Sequence, residues 1–144
     1  MENLLQVKGL STGFQSRHGL IQAVDKVSFS IKPGESVALV GESGSGKTVT
    51  ALSIMRLLDV PPAEIQGESI VFNGKDVLKL DENSIRHVRG NEMSMIFQEP
   101  MTSLNPLFRV DDQIAEALEL HKGMSRKEAL DYAADMIDAV GIPD

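Results

Sequence analysis

An eight-residue glycine-rich segment carries the clearest chemistry in this sequence. Residues 41–48 match the pattern G-x-x-x-x-G-K-[ST] in full. Glycines let the backbone curl so that successive N–H groups point inward at phosphate oxygens. We expect Lys47 to reach the β- and γ-phosphates of a nucleotide and the hydroxyl of Thr48 to bind Mg²⁺. The segment is therefore predicted to be a phosphate loop formed by Gly41, Glu42, Ser43, Gly44, Ser45, Gly46, Lys47 and Thr48.

The alternative interpretation is a chance match in a glycine-rich turn. A working phosphate loop needs a strand before it and a helix after it, because the helix N-terminus presents its positive end to the anion. The sequence predicts both elements. Residues 36–40 form a short apolar run typical of a strand buried on both faces, and residues 49–58 have apolar side chains at helical spacing. This context favours a phosphate loop, a motif that GTPases, kinases, helicases and transporters share.

The elements around the loop indicate an α/β fold. A strand, a glycine loop and a helix in this order open an α/β nucleotide-binding fold. Upstream, Val27, Phe29 and Ile31 alternate with polar residues, which predicts a strand with one buried face. Residues 15–19 are polar and predict the tip of a hairpin that joins this strand to an earlier one.

The sequence after the loop mixes strand and helix patterns. Residues 68–72 predict an edge strand that closes at the turn Asn73-Gly74. Asp81 is placed to cap a short helix that runs to about residue 89. Residues 93–97 are a second candidate for a buried strand.

Two further helices are predicted towards the end of the chain. The first covers about residues 110–120. The second begins at Ser125, where Ser125-x-x-Glu128 forms a capping-box pattern ahead of apolar residues at helical spacing.

Composition excludes several classes of function. The net charge of −7 argues against general nucleic-acid binding, which usually needs a basic surface. The chain has no cysteine, so it contains neither a disulfide framework nor a cysteine-based metal site. No signal-peptide pattern opens the sequence, and no apolar run approaches the roughly 20 residues of a membrane span. We therefore expect no membrane span in this chain.

A second segment narrows the choice among phosphate-loop proteins. Residues 95–106 read Met-Ile-Phe-Gln-Glu-Pro-Met-Thr-Ser-Leu-Asn-Pro. Together with the phosphate loop, this segment closely resembles ATP-binding subunits of ABC importers of the dipeptide, oligopeptide and nickel group. Residues 23–29, 86–90 and 113–116 fit the same group, so the resemblance covers essentially the whole chain. Within the group, the chain is most similar to the first cassette of glutathione and microcin C/peptide importers.

The resemblance implies roles for two more residues. Gln98 falls at the Q-loop glutamine, which in the family meets Mg²⁺ and the attacking water, and an amide oxygen suits that task. Phe14 falls where the family places an aromatic side chain that stacks on adenine. The alternatives are a polar residue at a strand end for Gln98 and an ordinary core or hairpin residue for Phe14. By this resemblance, Lys47 and Gln98 are the catalytic candidates, and Thr48 and Gln98 are the metal ligands.

Several family motifs do not occur in this sequence. It has no Leu-Ser-Gly-Gly-Gln signature, and no four apolar residues ending in Asp-Glu follow Gln98. The switch histidine would lie beyond residue 144. The resemblance thus implies the N-terminal portion of an ABC-type P-loop NTPase, with an antiparallel β subdomain. Residues 1–100 would form part of the ATPase core, and residues 101–144 the Q-loop exit and the start of a helical subdomain.

The resemblance also implies a function and partners. The complete protein would be an ATPase that uses ATP and Mg²⁺ to drive uptake of peptide-like solutes. Its partners would be transmembrane permease subunits, which contact the segment after Gln98, and a second cassette in a head-to-tail dimer. It would lie in the cytoplasm on the inner face of the plasma membrane. The alternative is a catalytically inactive fragment that binds nucleotide or permease, while a kinase or GTPase would need a lid or base-specificity motif not found here.

Overall fold

The computed structural model describes residues 3–99 and 103–142. It divides into two compact units, Met1–Ile85 and Arg86–Asp144. Within the described residues, no helix has the length and apolar character that a membrane span requires.

The first unit is built on a five-stranded antiparallel sheet with the order β2-β1-β4-β5, in which β3 also pairs with β1. The long hairpin of β1 and β2 turns at residues 16–19, which confirms the predicted hairpin tip. Val7 and Ile70, which pair across β1 and β4, are buried, and so is Leu10 further along β1. The strands are β1 (Leu5–Ser16), β2 (Gly19–Ile31), β3 (Ala63–Gln66), β4 (Ser69–Phe72) and β5 (Lys75–Asp76).

The predicted edge strand is an inner strand. β4 lies between β1 and β5, and β5 is the edge strand beyond it. The turn Asn73-Gly74 joins β4 to β5, and both of its residues have positive φ, which suits a tight hairpin turn. The edge assignment was wrong because the two-residue strand β5 is too short to leave a periodic pattern in the sequence.

Helix α1 (Lys47–Ile54) follows the phosphate loop. It begins two residues before the predicted start, because Gly46 adopts a left-handed conformation that serves as the N-cap. Arg56, with a φ of 52°, is also left-handed and ends the helical path, so Leu58 lies outside the helix. After β5 come a 3₁₀ turn at Val77–Lys79 and α2 (Glu82–Val88). Just before α2, the Asp81 carboxylate accepts from the Ser84 N–H at 2.8 Å, which confirms the predicted cap.

Two predicted buried strands are absent from the described structure. Residues 36–40 form no strand, and Val40 is 88% exposed. Residues 93–97 contribute only a single bridge between Arg89 and Met93, and Ile96 is 97% exposed. A strand buried inside a parallel sheet needs a strand on each side, and among the described residues neither segment pairs with a strand of the sheet. The two segments are apolar as the sequence shows, but the prediction that they form buried strands was wrong.

The second unit contains the two predicted helices, α3 (Val110–Lys122) and α4 (Arg126–Ala139). Ala115, Ala129 and Ala133 are buried, which allows close contact between helices. The predicted capping box is present, since the Ser125 hydroxyl and the Glu128 side chain each meet the backbone of the other residue. The hydrogen bonds from Ser125 hold the pKa of the Glu128 carboxyl below its ordinary value.

A candidate phosphate-binding site

The phosphate loop leads directly into the first turn of α1. The first N–H groups of a helix have no carbonyl partner within that helix. Among the described residues, no side chain caps this end of α1, and its first turn contains no acidic side chain. No acidic or capping side chain of the described residues therefore neutralises the positive end of the helix, which leaves it free to attract an anion.

The backbone of Gly46 packs closely against the backbone of strand β2. A Cβ atom at Gly46 would lie 2.4 Å from the Ala23 carbonyl oxygen, and the φ of Gly46 is 86°. The register of the hairpin shifts at this point, from Thr12 opposite Val24 to Gly13 opposite Gln22. That shift leaves Ala23 without an opposite residue, as in a β-bulge. The bulge thus brings a carbonyl of β2 against the loop, and only glycine fits there.

Lys47 lies over the loop that precedes it. Its Nζ donates to the Gly41 carbonyl at 2.8 Å, to the Glu42 carbonyl at 2.6 Å and to the Ser45 hydroxyl at 3.3 Å. An ammonium group has three donors, so these oxygens use its full capacity. A phosphate group entering the loop would offer charged oxygens that make stronger bonds to the same donors. The contacts place the charge of Lys47 inside the loop, where phosphate would bind.

Thr48, the predicted hydroxyl ligand of Mg²⁺, is exposed in the first turn of α1. Elsewhere in the described ranges, no group of three histidine, aspartate or glutamate side chains could hold a metal ion. Mg²⁺ usually binds proteins through one or two ligands together with phosphate oxygens and water. Thr48 therefore fits Mg²⁺ that arrives with a nucleotide.

Phe14 lies on β1, the strand that packs against α1. It is opposite Ile21 of β2 and Ala63 of β3, and its side chain is half-buried. The pairing on both sides fixes the backbone at Phe14, and part of the residue stays accessible to solvent. Phe14 therefore has the exposure that base stacking requires.

Gln98 belongs to the second unit and is exposed on an irregular segment, so its predicted position at the end of a strand was wrong. It lines a groove with neighbouring side chains from Met95, Ile96, Phe97, Glu99 and Ser103. The segment predicted to meet a permease runs from residue 99 to residue 106. Residues 100–102 lie outside the described residues.

The side chain of Gln113 holds the loop before α3. No role of its own was predicted for this residue from the sequence, and residues 113–116 were named only as part of the family resemblance. The Gln113 Oε1 accepts from the Asn105 N–H at 2.8 Å, and its Nε2 donates to the Asn105 carbonyl at 2.9 Å and the Phe108 carbonyl at 3.1 Å. One amide thus fixes the loop from both ends. The loop presents exposed apolar side chains from Leu104, Leu107 and Phe108.

Sequence reasoning also missed a buried pair of hydroxyl groups, Thr12 on β1 and Ser53 on α1. The only signal was that Ser53 is a hydroxyl residue within the apolar pattern of residues 49–58. Neither residue indicates its partner, because the two are far apart in the chain.

A comparison with protein families matches residues 24–144 to the model described as ABC transporter. A putative peptide import ATP-binding protein of Brucella melitensis is 52% identical over 146 residues, covering 98% of this chain and 43% of that protein. A glutathione import ATP-binding protein of Shigella flexneri is 49% identical over 147 residues, covering 99% of this chain and 24% of that protein. The chain thus spans less than half the length of these relatives.

Solved structures of ATP-binding cassettes have the same fold as this chain. An ATP-binding cassette in a dimeric post-hydrolysis state, bound to ADP and Pi, superposes with a TM-score of 0.76 at 23% identity. The match covers 93% of this chain and 56% of that one. A second dimeric structure, of a bacterial ABC transporter cassette, has the same TM-score at 22% identity.

Proposed function

This chain belongs to the ABC transporter family, and from that membership we propose that its phosphate loop binds the phosphates of ATP together with Mg²⁺. The observation that carries the proposal is the position of Lys47, whose Nζ contacts Gly41, Glu42 and Ser45 at the start of α1. Backbone N–H groups of residues 41–48 would surround the β-phosphate, and Lys47 would bridge to the γ-phosphate. Thr48 would supply a hydroxyl ligand to Mg²⁺, and Phe14 would stack on the adenine.

For the whole protein we propose ATP hydrolysis coupled to import of peptide-like solutes. Support comes from relatives named as import ATP-binding proteins for peptides and for glutathione. The exposed apolar loop that Gln113 holds is suited to contact with permease subunits on the inner face of the plasma membrane. The dimeric cassettes with the same fold support a second cassette as a further partner. Residues 1–100 would belong to the ATPase core, and residues 101–144 would begin the helical subdomain.

We expect the 144-residue chain to release phosphate from ATP at a negligible rate. Its sequence has neither a signature motif nor an acidic residue after four apolar ones to act near the metal, so the groups that position water and stabilise transition-state charge are lacking. A steady-state phosphate-release assay on the purified chain measures this. Turnover equal to that of a complete family cassette, and lost on Lys47→Ala, would contradict the expectation.

A second candidate function is a nucleotide-binding module without turnover, because the contacts of Lys47 support nucleotide binding and do not by themselves support hydrolysis. Extending the chain with all of the Brucella melitensis relative that follows the aligned segment discriminates between the two. The first candidate predicts that the extended protein hydrolyses ATP, and that Lys47→Ala in it removes the activity. The second predicts that extension leaves hydrolysis negligible while ATP still binds.

Gln98→Ala in the extended protein is expected to reduce transport coupling more than ATP binding. Most nucleotide affinity should come from several N–H donors and Lys47, whereas Gln98 adds one ligand to a metal that keeps several waters. We expect ATP affinity to stay within about tenfold, or about 1.4 kcal/mol. The measurement compares ATP affinity, hydrolysis and solute uptake in reconstituted transporter, with Asp135→Ala, an exposed residue of α4, as the control. A collapse of affinity with normal uptake per ATP hydrolysed would assign Gln98 to binding alone.

A further inference from the structure

A buried hydrogen bond joins the central strand of the sheet to the helix that follows the phosphate loop. Thr12 on β1 and Ser53 on α1 are both 0% exposed, and their hydroxyl oxygens are 2.8 Å apart. Ser53 also donates to the Val49 carbonyl at 2.6 Å, one turn earlier in α1. A serine hydroxyl has a single hydrogen, so Thr12 must be the donor to Ser53. The result is a directed chain of hydrogen bonds from β1 into the backbone of α1.

This pair has little freedom to separate. Thr12 sits within paired strands, opposite Val24 of β2 and Ile65 of β3. A buried hydroxyl that loses its partner keeps the cost of desolvation without compensation. The hydrogen bond therefore fixes how far the backbone of β1 lies from the backbone of α1.

The two linked elements carry the two ends of the proposed nucleotide site. Phe14 lies two residues beyond Thr12 on the same strand, and side chains at this spacing point to the same face of a strand. Lys47 and Thr48 lie in the first turn of the helix whose last turn contains Ser53. A change in the spacing of β1 and α1 would therefore change the distance between Phe14, which is proposed to stack on the base, and the phosphate loop.

We propose that the hydrogen bond between Thr12 and Ser53 is a positioning contact that sets this distance and makes the site select a nucleotide over a bare polyphosphate. The inference rests on the proposed binding of ATP by Phe14 and the phosphate loop. ATP engages both ends at once, so the second contact forms at a high effective concentration only if the spacing matches the ligand. A bare polyphosphate contacts the loop alone and does not sense the spacing. Loosening the bond should thus weaken ATP binding and spare polyphosphate binding.

Three variants test the contact. Thr12→Val keeps the side-chain shape and removes the hydroxyl, Thr12→Ser keeps the hydroxyl, and Ser53→Ala removes the acceptor. Ser28→Ala is the matched control, because the Ser28 hydroxyl accepts from the Gly9 N–H at 2.8 Å at a site in the same sheet away from α1. Circular dichroism and thermal unfolding of each purified 144-residue chain establish which variants fold.

The readout is the affinity of each chain for MgATP and for magnesium tripolyphosphate, measured by calorimetry. We expect Thr12→Val and Ser53→Ala to weaken MgATP binding about threefold to tenfold and to leave tripolyphosphate binding within about twofold. Thr12→Ser and Ser28→Ala should bind both ligands within about twofold of the original chain. If Thr12→Val does not fold, Ser53→Ala and Thr12→Ser decide the question.

The inference and the proposed function fail in different ways. Equal losses for both ligands, or no loss of MgATP affinity in folded Thr12→Val or Ser53→Ala chains, would overturn the positioning role and leave ATP binding intact. A loss of MgATP affinity in Ser28→Ala as large as in Thr12→Val would also overturn it. Failure of the original chain to bind either ligand would overturn the proposed function, and the inference with it.

Discussion

Replacing Lys47 with alanine is expected to weaken MgATP binding by this chain about 10-fold to 100-fold. The variant removes a charge-assisted contact to phosphate, which contributes about 1.5–3 kcal/mol. It also removes the bonds from Nζ to the carbonyls of Gly41 and Glu42, which hold the loop in its curled form. The loss should be similar for magnesium tripolyphosphate, because both ligands meet Lys47 through phosphate. Isothermal titration calorimetry on both chains measures the effect.

Lys32→Ala is the matched control for Lys47→Ala. Lys32 is an exposed lysine that follows β2 in the same unit, and its backbone N–H bonds to Glu35. Its removal changes the net charge by the same amount and should leave affinity within about twofold, because exposed charges are screened by salt. Equal affinities for the original and Lys47→Ala chains would mean that ATP binds elsewhere.

Replacing Gly46 with alanine is expected to lower the free energy of unfolding of the first unit by about 2–5 kcal/mol. Two costs add. The φ of 86° is a conformation that alanine rarely adopts, and the new methyl group would lie 2.4 Å from the carbonyl oxygen of Ala23. That neighbour is backbone held in the hairpin, so it cannot rotate away. Urea unfolding of both chains in the absence of nucleotide measures the change, because bound nucleotide would add a stabilisation that depends on its affinity for each chain.

Gly44→Ala separates the two costs. Gly44 has a φ of 79°, close to that of Gly46, but nothing lies within 4 Å of an added Cβ. It should therefore show only the conformational cost of about 1–2 kcal/mol. Equal destabilisation by Gly44→Ala and Gly46→Ala would show that the contact with the bulge at Ala23 has no energetic role.

Local patterns predicted most of the fold. The hairpin, the cap at Asp81, the capping box at Ser125 and both helices of the second unit depend on neighbouring residues, and all are confirmed. The P-loop class is confirmed as well, because the glycine loop followed by α1 is a local signature and solved ATP-binding cassettes superpose on the chain. The roles of Lys47, Thr48, Gln98 and Phe14 stay predictions.

Features that depend on distant residues were not predictable. The apolar runs at residues 36–40 and 93–97 are typical of buried strands, but burial also needs neighbouring strands, and neither run pairs with a strand of the sheet in the described part of the chain. The bond between Thr12 and Ser53 and the approach of Gly46 to Ala23 join residues on separate elements. Their contact is a property of tertiary packing, and no local pattern of residue types specifies it.

The backbone amides that respond to nucleotide show directly where it binds. Heteronuclear NMR of the labelled 144-residue chain, titrated with MgATP, follows each N–H group separately. We predict that the largest chemical-shift changes occur at residues 41–48, because their N–H groups would donate to phosphate oxygens. Unchanged amides at residues 41–48 under saturating MgATP, with shifts concentrated elsewhere in the chain, would contradict the claim that this loop is the ATP site.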